Sequence, residues 1–275
     1  MSLSEVNETS IGVALVRAME SQRSDRLFND PYAQEFVAAS PEYLARRAAE
    51  ASRNPGIRQL GASLTAHVVV RTRFYDMYLL DACAAGCTQV VLLAAGLDAR
   101  AYRLDFPSAV RVFEVDQPAV LAFKARVLSQ HEPRVPRTAV EADLAADWTP
   151  VLERAGFDRT QRTAWLIEGL LIYLTSAEAS LLLDTVTRLS APGSQVSFEE
   201  SLATQVPGTV ERMRVAGQAP QIASLWKGGL GQPAGPYLSA RGWSTRTFDR
   251  AALSASYNRP DPSRLPGGYL IGVRG

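Results

Sequence analysis

The chain is poor in the residues that hold metals or staple small folds. It has two cysteines and two histidines in 275 residues, and its net charge is +1. Cys83 and Cys87 stand four apart in an Ala-rich, helical stretch. Two thiols make no disulfide framework, and His67 and His131 add no Cys/His set with ligand spacing, so no metal is expected. The 29 Lys and Arg against 28 Asp and Glu create no field for nucleic acid or an anionic membrane surface. No apolar run approaches the roughly 18 residues that a membrane span needs. Met1 to Ser10 is polar and acidic, without the basic-then-apolar pattern of a signal peptide. There are no internal repeats and no low-complexity tract. These absences leave a cytoplasmic protein whose partner is a small molecule as the expectation.

Hydrophobic residues make up 47% and charged residues 21%, ordinary for a soluble globular chain. The length is generous for one α/β domain and thin for two. About three quarters of the unfolded surface can be buried at this size, so the core needs no staples. The first third reads as helix. Ile11, Leu15 and Met19 share a face, and Asn29-Asp30-Pro31 reads as a turn with Pro31 opening the next helix. Asn54-Pro55-Gly56 reads as a break before a helix from Leu64 to Ala85, which Gly86 ends as a left-handed cap.

Beyond Gly86 strand and helix alternate. Gln89 to Ala94 is a continuous apolar run, the kind that a parallel sheet buried on both faces demands. Val110 to Asp116, Thr138 to Asp143, Ala164 to Glu168 and Gln195 to Glu199 continue the series. A helix follows Pro118, and another runs from Ser176 to Leu189. Ser244 to Phe248 and Gly268 to Val273 supply two final strands. Thr204 to Pro236, rich in Gly, Pro and Gln, reads as an insertion or lid. The expected fold is a doubly wound α/β domain with a seven-stranded, mostly parallel, Rossmann-like sheet. Its parts are a helical N-terminal extension (1–86), a cofactor-binding core (87–200), the insertion (201–240) and the final strands (241–275).

Val90 to Arg103, VVLLAAGLDARAYR, runs a buried strand through Gly96 into a helix, the geometry of a nucleotide-binding first turn. The G-x-G-x-x-G fingerprint is met only as Ala94-x-Gly96-x-x-Ala99. Asp98 lies inside the turn, where it would repel a pyrophosphate but tolerate a cationic amino group or a ribose. That tilts the site from NAD towards a zwitterionic nucleoside such as S-adenosylmethionine. Asp116 follows Gly96 by twenty residues at a strand end, where an acid accepts both ribose hydroxyls; capping of the helix at Pro118 is its structural alternative. Asp143-Leu144 ends the third strand, where the acid can accept an adenine amino hydrogen and the next amide address a ring nitrogen, or where both simply turn the chain. Glu168 ends the fourth strand at the same rim, and Gly169 permits close backbone approach.

With these residues the chain resembles the leucine carboxyl methyltransferase family, in its bacterial S-adenosylmethionine-dependent branch. The matching stretches are RAMESQRSDRLFNDPYA (Arg17 to Ala33), RTRFYD (Arg71 to Asp76), LLAAGLDARAYRL (Leu92 to Leu104), FEVDQP (Phe113 to Pro118), ADL (Ala142 to Leu144) and EGLLIYL (Glu168 to Leu174). They extend in the family's order to about residue 200. The resemblance implies a class I methyltransferase fold with S-adenosylmethionine as cofactor. It implies that Arg71 grips the methionine carboxylate, with Arg17 as a second contact. Gly96 and Asp98 then line the methionine part, Asp116 the ribose, and Asp143 with Leu144 the adenine, with Ala94, Gln117 and Glu168 also among the cofactor-binding residues. Glu168 and Tyr173 border the methyl-transfer zone. Arg73, about 200° round the helix from Arg71, faces elsewhere. The family has Gly where this chain has Ala94, whose methyl crowds the cofactor unless the backbone there keeps a negative φ.

A carboxylate acceptor needs no general base, whereas a phenol or alcohol wants one within hydrogen-bond reach. Neither His67 nor His131 falls on a strand-end motif, which favours a carboxylate, or a phenol ionised by its surroundings. Tyr173, Trp226, Tyr237 and Trp243 could wall an aromatic pocket, with core packing the better account of each. Tyr173 and Trp226 are the substrate-binding candidates. The expected activity is O-methylation of a carboxylate or hydroxyl on a small metabolite, with a protein substrate less favoured. A non-catalytic S-adenosylmethionine-binding protein or scaffold is one rival. A nicotinamide-dependent reductase is another, disfavoured by Asp98 and by the lack of a Tyr-x-x-x-Lys pair.

Overall fold

The structure, a computed structural model, describes residues 3–45, 55–200, 225–259 and 267–275. Seven strands form one sheet: β1 (Gln89–Leu93), β2 (Arg111–Asp116), β3 (Arg137–Glu141), β4 (Thr163–Ile167), β5 (Gln195–Glu200), β6 (Trp243–Asp249) and β7 (Gly268–Arg274). Their order is β3-β2-β1-β4-β5-β7-β6. The neighbours from β3 to β5 pair in parallel, and β7 runs antiparallel between β5 and β6. The doubly wound α/β expectation holds. The order reverses between β1 and β4, so the crevice for a ligand opens beyond the carboxyl ends of these two strands.

Alternate strand residues build two cores. Val90 and Leu92 of β1, with Ala164 and Leu166 of β4, join one apolar cluster. Val91 and Leu93, with Trp165 and Ile167, join the other. The period of two in side-chain direction makes each short apolar run serve both faces. The first face carries α1 (Leu3–Ser21), α2 (Ala33–Ala38) and α3 (Pro55–Ala84). The second carries α6 (Thr149–Arg154), α7 (Ser176–Arg188) and α8 (Ala234–Ser239). Between them in sequence lie α4 (Arg100–Arg103) and α5 (Pro118–Val127), and α9 (Arg250–Ser256) links β6 to β7.

Two helix starts differ from the sequence reading. The helix expected from Leu64 begins at Pro55; Pro55-Gly56 opens it rather than breaking it, because proline's missing N–H costs nothing in a first turn. The helix expected from Pro31 begins at Ala33, and the Asp30 carboxylate accepts the Ala33 N–H at 3.2 Å from a preceding turn. The end of α3 is as expected. Gly86 has φ +103°, Cys87 N–H reaches Ala82 O and Gly86 N–H reaches Cys83 O, both at 3.0 Å, a Schellman closure that needs the left-handed residue. Cys83 and Cys87 are free and buried, and burial pushes the Cys87 thiol up to about 11. They pack and do not react.

Most of the stretch read as an insertion or lid, residues 201–224, lies outside the described residues. Its later part joins the fold: Leu230 and Ala234, with Tyr237 and Leu238 after them, are buried in the second core. No helix among the described residues is long and apolar enough to cross a membrane.

β2 carries an acid in its interior. Glu114 is fully buried and meets Lys124 Nζ of α5, equally buried, at 2.7 Å and Arg137 Nη2 of β3 at 2.6 Å. The pair fixes α5 against the strand whose end bears Asp116. Lys124→Ala would leave the carboxylate only partly compensated in a dry interior, at a cost of about 3 kcal/mol. Urea unfolding is expected to show a midpoint lowered accordingly with an unchanged slope; an unshifted midpoint would contradict the pairing.

Candidate functional site

Four of the five parallel strands deliver an acid to the same edge, and β1 delivers the glycine turn. β1 ends into Ala94-Ala95-Gly96, β2 ends on Asp116, β3 runs into Asp143, β4 into Glu168-Gly169, and β5 closes with Glu199 and Glu200. The helices of the first face bring Arg17 from α1 and Arg71 from α3 over this rim. Both are buried, so each must find a carboxylate.

Glu168 is the meeting point. Its Oε1 forms an ion pair with Arg71, whose Nε stands 2.9 Å away, and receives Arg17 Nη2 at 3.1 Å, while its Oε2 receives Arg100 Nη1 at 2.7 Å. Burial opposes its ionisation, but the guanidiniums of Arg100, Arg71 and Arg17 outweigh that and hold the carboxyl far below its usual range. Arg100 continues the network to Asp98, by a short contact, and to Asp76 of α3 at 2.7 Å. Arg103 joins Asp76 at 2.6 Å and approaches Asp30 at 3.8 Å. Arg71 also donates to Glu199 Oε1 at 2.7 Å, while Gly169 N–H donates to Glu199 Oε2 at 2.6 Å. Burial raises and Arg71 then lowers the Glu199 pKa, with a net fall. Gly169 has φ +67°, and a Cβ there would stand 3.3 Å from Arg71 Nη1; a left-handed, crowded position of this kind favours glycine.

The expected cofactor residues divide by environment. Asp116 lies at the switch point, its Oδ2 taking Gly96 N–H at 2.6 Å and its Oδ1 taking Gln117 N–H at 2.7 Å. Burial raises its pKa against those two bonds. Each oxygen keeps a free lone-pair direction for a further donor. Ala94 and Gly96 are half-buried at the rim. The backbone at Ala94 has φ +55°, so the condition under which its methyl is harmless is not met. The left-handed conformation costs an L-residue roughly 1–2 kcal/mol, strain held in the turn facing the crevice. Gly96 has φ +52°, and a Cβ would come within 3.0 Å of Ser10 Oγ, so α1 closes over this turn.

Asp98 is buried, its Oδ1 accepting Arg100 N–H at 2.7 Å. Burial opposes its charge, Arg100 favours it, and the pKa falls. Asp143 is exposed and accepts Ala145 N–H at 2.9 Å in a local turn, with Leu144 half-buried against the second core. Ala142 N–H donates to Asp116 O at 3.0 Å, which ties this loop to the ribose candidate. Tyr173 and Trp226 come together: the Tyr173 hydroxyl is hydrogen-bonded to Trp226 and Thr9 and lies in the field of Arg71, and burial raises its pKa. Tyr237 and Trp243 are core residues, as their alternative held. Arg73 lies in the electrostatic reach of Tyr257.

Two groups here went unpredicted. Glu199 ends a strand at the shared edge, the same signal that marked Asp116 and Glu168. His67 lies one helical turn before Arg71, a spacing that puts both on one face of α3, and its Nε2 stands 3.6 Å from Glu199 Oε1. Burial holds the imidazole pKa below its ordinary value in spite of Glu199. Among the described residues no His/Cys/Asp/Glu group could hold a metal. A surface cavity of 610 Å³ beside the amino end of β5, lined by Asp184, Arg188, Arg241 and Arg274, is remote from these strand ends.

The leucine carboxyl methyltransferase family model matches residues 10–187. A protein of Parafrankia sp. (strain EAN1pec) is 44% identical over 97% of this chain and 86% of its own length. One of Frankia alni is 43% identical over 98% and 94%. Both bear the name "Putative S-adenosyl-L-methionine-dependent methyltransferase". Among solved structures, a DUF574 family protein of Streptomyces avermitilis superposes with a TM-score of 0.59 at 17% identity, over 95% of this chain and 97% of its own. A second, from Thermobifida fusca YX, gives 0.55 at 18% identity over 95% and 94%; at such identities the likeness is one of fold. The family model covers most of α1, all of α3, the Gly96 turn, Asp116 and Glu168, though not Glu199 of β5, and the chain belongs to the leucine carboxyl methyltransferase family.

Proposed function

We propose that this protein is an S-adenosylmethionine-dependent O-methyltransferase acting on a carboxylate or hydroxyl group of a small metabolite. The observation that carries the reading is the charged rim around Glu168 and Asp116, which suits a zwitterionic, cationic nucleoside and does not suit a dinucleotide. In a dinucleotide site a pyrophosphate takes the free N–H groups at the start of a helix. Here Asp98 already accepts the Arg100 N–H at 2.7 Å, so a carboxylate stands where the phosphate would. Five carboxylates (Asp30, Asp76, Asp98, Glu168 and Glu199) face four guanidiniums (Arg17, Arg71, Arg100 and Arg103) in the connected network. One negative charge is left over, complementary to a ligand with one net positive charge.

S-adenosylmethionine, when bound, supplies a methyl group activated on a sulfonium. Asp116 would accept the ribose hydroxyls, and the Asp143–Leu144 loop would border the adenine. Arg71, with Arg17 behind it, would hold the methionine carboxylate by charge-assisted bonds. Arg71 is now shared by Glu168 and Glu199, so it keeps one partner when it takes another. The protein's contribution is orientation and exclusion of water, with fixed dipoles in place of solvent. Tyr173 and Trp226 border the space where the acceptor would lie. The names of the curated relatives support methyl transfer from S-adenosylmethionine.

Calorimetric titration is expected to give micromolar binding of S-adenosylmethionine and S-adenosylhomocysteine and none of NADH; the opposite ranking would restore the reductase reading. Asp116→Ala is expected to weaken both adenosyl ligands by about 1–3 kcal/mol, and unchanged affinity would remove the ribose assignment. The network also predicts an acid response. Glu168, Asp98 and Glu199 have folded pKa values below their unfolded ones, so their stabilisation is complete above the unfolded carboxylate pKa. It fades as pH falls below that value towards the folded ones. Asp116, with a raised pKa, works in the opposite sense but is one group against three. Urea midpoints measured from neutral pH down through the carboxylate range should fall, and less steeply in Glu168→Gln. Parallel curves for the two proteins would refute the assignment to Glu168.

A further inference from the structure

His67 is the one imidazole that the fold brings to the charged rim, and nothing in cofactor binding uses it. Its ring lies parallel to that of Tyr269, at 9° with 6.4 Å between centroids. Its Nε2 faces Glu199 Oε1 at 3.6 Å. Glu199 is itself held by Arg71 and by the Gly169 N–H, so the acid cannot turn away from the ring without losing two bonds. A carboxylate fixed beside Nε2 selects the tautomer with the proton on Nε2, which leaves a lone pair on Nδ1. Nδ1 is buried and has no hydrogen-bond partner, while the side chain as a whole is 23% exposed. A buried acceptor without a donor is uncommon enough in folded proteins to call for a reason. A ligand hydroxyl would supply the missing donor.

We propose that His67, oriented by Glu199, is the general base that takes the proton from a hydroxyl acceptor, and that the acceptor is therefore a phenol or alcohol rather than a carboxylic acid. This rests on the methyltransferase reading above. The acceptor O–H proton passes to Nδ1, and the freed oxygen pair forms the new O–C bond to the methyl carbon. The S–C bond breaks with its electron pair left on sulfur. The positive charge thus moves from sulfonium to imidazolium, next to the Glu199 carboxylate that stabilises it. Acid, imidazole and acceptor hydroxyl would act in sequence, the logic of a carboxylate-oriented base. The base thus comes not from a strand end but from the long helix that crosses the sheet.

The groups facing the ring are Arg71 from α3, Glu199 from β5, Arg250 from α9 and Tyr269 from β7. Burial, Arg71 and Arg250 disfavour the imidazolium, and Glu199 favours it. The balance lowers the imidazole pKa, which favours the neutral ring that a base must be.

The test uses the whole chain and two readouts. Imidazole nitrogen NMR of the protein without cofactor, assigned by loss of signals in His67→Gln, should show His67 neutral at pH 7 with its proton on Nε2. Methyl transfer is then followed with labelled S-adenosylmethionine and five probes: phenol, catechol, 4-nitrophenol, benzoate and phenylacetate. Transfer to the hydroxyl probes is expected, with kcat rising with pH through the His67 titration. His67→Gln should lower kcat on phenol by about 10²–10⁴-fold while calorimetric affinity for S-adenosylmethionine, which also reports correct folding, stays the same. The loss should shrink on 4-nitrophenol at mildly alkaline pH, where that acceptor is already ionised; a merely structural role would reduce both alike. An Nδ1–H tautomer, equal losses on the two phenols, or cofactor binding with transfer to the carboxylic acids alone or to no probe would overturn the base. Failure to bind S-adenosylmethionine at all would instead overturn the reading on which it rests.

Discussion

Three guanidiniums meet on the carboxylate of Glu168, and the site takes its shape from that contact. Arg17 comes from the first helix, Arg71 from the long helix across the sheet, and Arg100 from the short helix after the glycine turn. Each is buried, and an unpaired buried cation is among the costliest defects a fold can carry. The acid at the end of β4 therefore decides where three separate segments stop. Removing one partner strands the others, which makes such a cluster a strong constraint on geometry even where its net contribution to stability is small.

The same contact ties the helical N-terminal part to the sheet edge that holds the candidate cofactor residues. Arg100 carries the network to Asp76 on α3 and to Asp98 in the turn, and Arg103 extends it to Asp30 before α2. Asp116 stands slightly apart, bonded to the Gly96 and Gln117 amides, so the ribose candidate is set by backbone and the carboxylate grip by side chains. Ala94 holds a left-handed backbone without being glycine. Strain of that kind persists where surrounding structure over-determines it, and here Ala95 N–H is fixed to Val115 O at 3.2 Å and Gly96 N–H to Asp116.

Much of this was legible in the sequence, and the reasons are physical. Four-residue apolar runs such as Val90 to Leu93 and Ala164 to Ile167 announce parallel strands because both of their faces are buried. Helix starts were less legible: Pro55 and Pro31 are compatible with a break and with a first turn, and only packing decides. Asp116 and Glu168 were readable because strand ends are identifiable and acids there face the crevice. Glu199 carries the same signal, an acid at a strand end. The partners of Asp98 were not readable, since Arg100 turns back on it only when Asp76 arrives from α3. His67 lay hidden for the same reason. A helical spacing from Arg71 gives its face, but the end of β5 meets that face only in the fold.

The charged rim is expected to hold the zwitterionic end of an adenosyl cofactor. A crystal structure of the protein with S-adenosylhomocysteine tests it most directly. The ribose hydroxyls are expected on Asp116 and the amino-acid carboxylate on Arg71, with Glu168 still bridging Arg17 and Arg100. A ligand bound elsewhere, or bound at the strand ends with Arg71 closed on Glu168 and Glu199 alone, would contradict it.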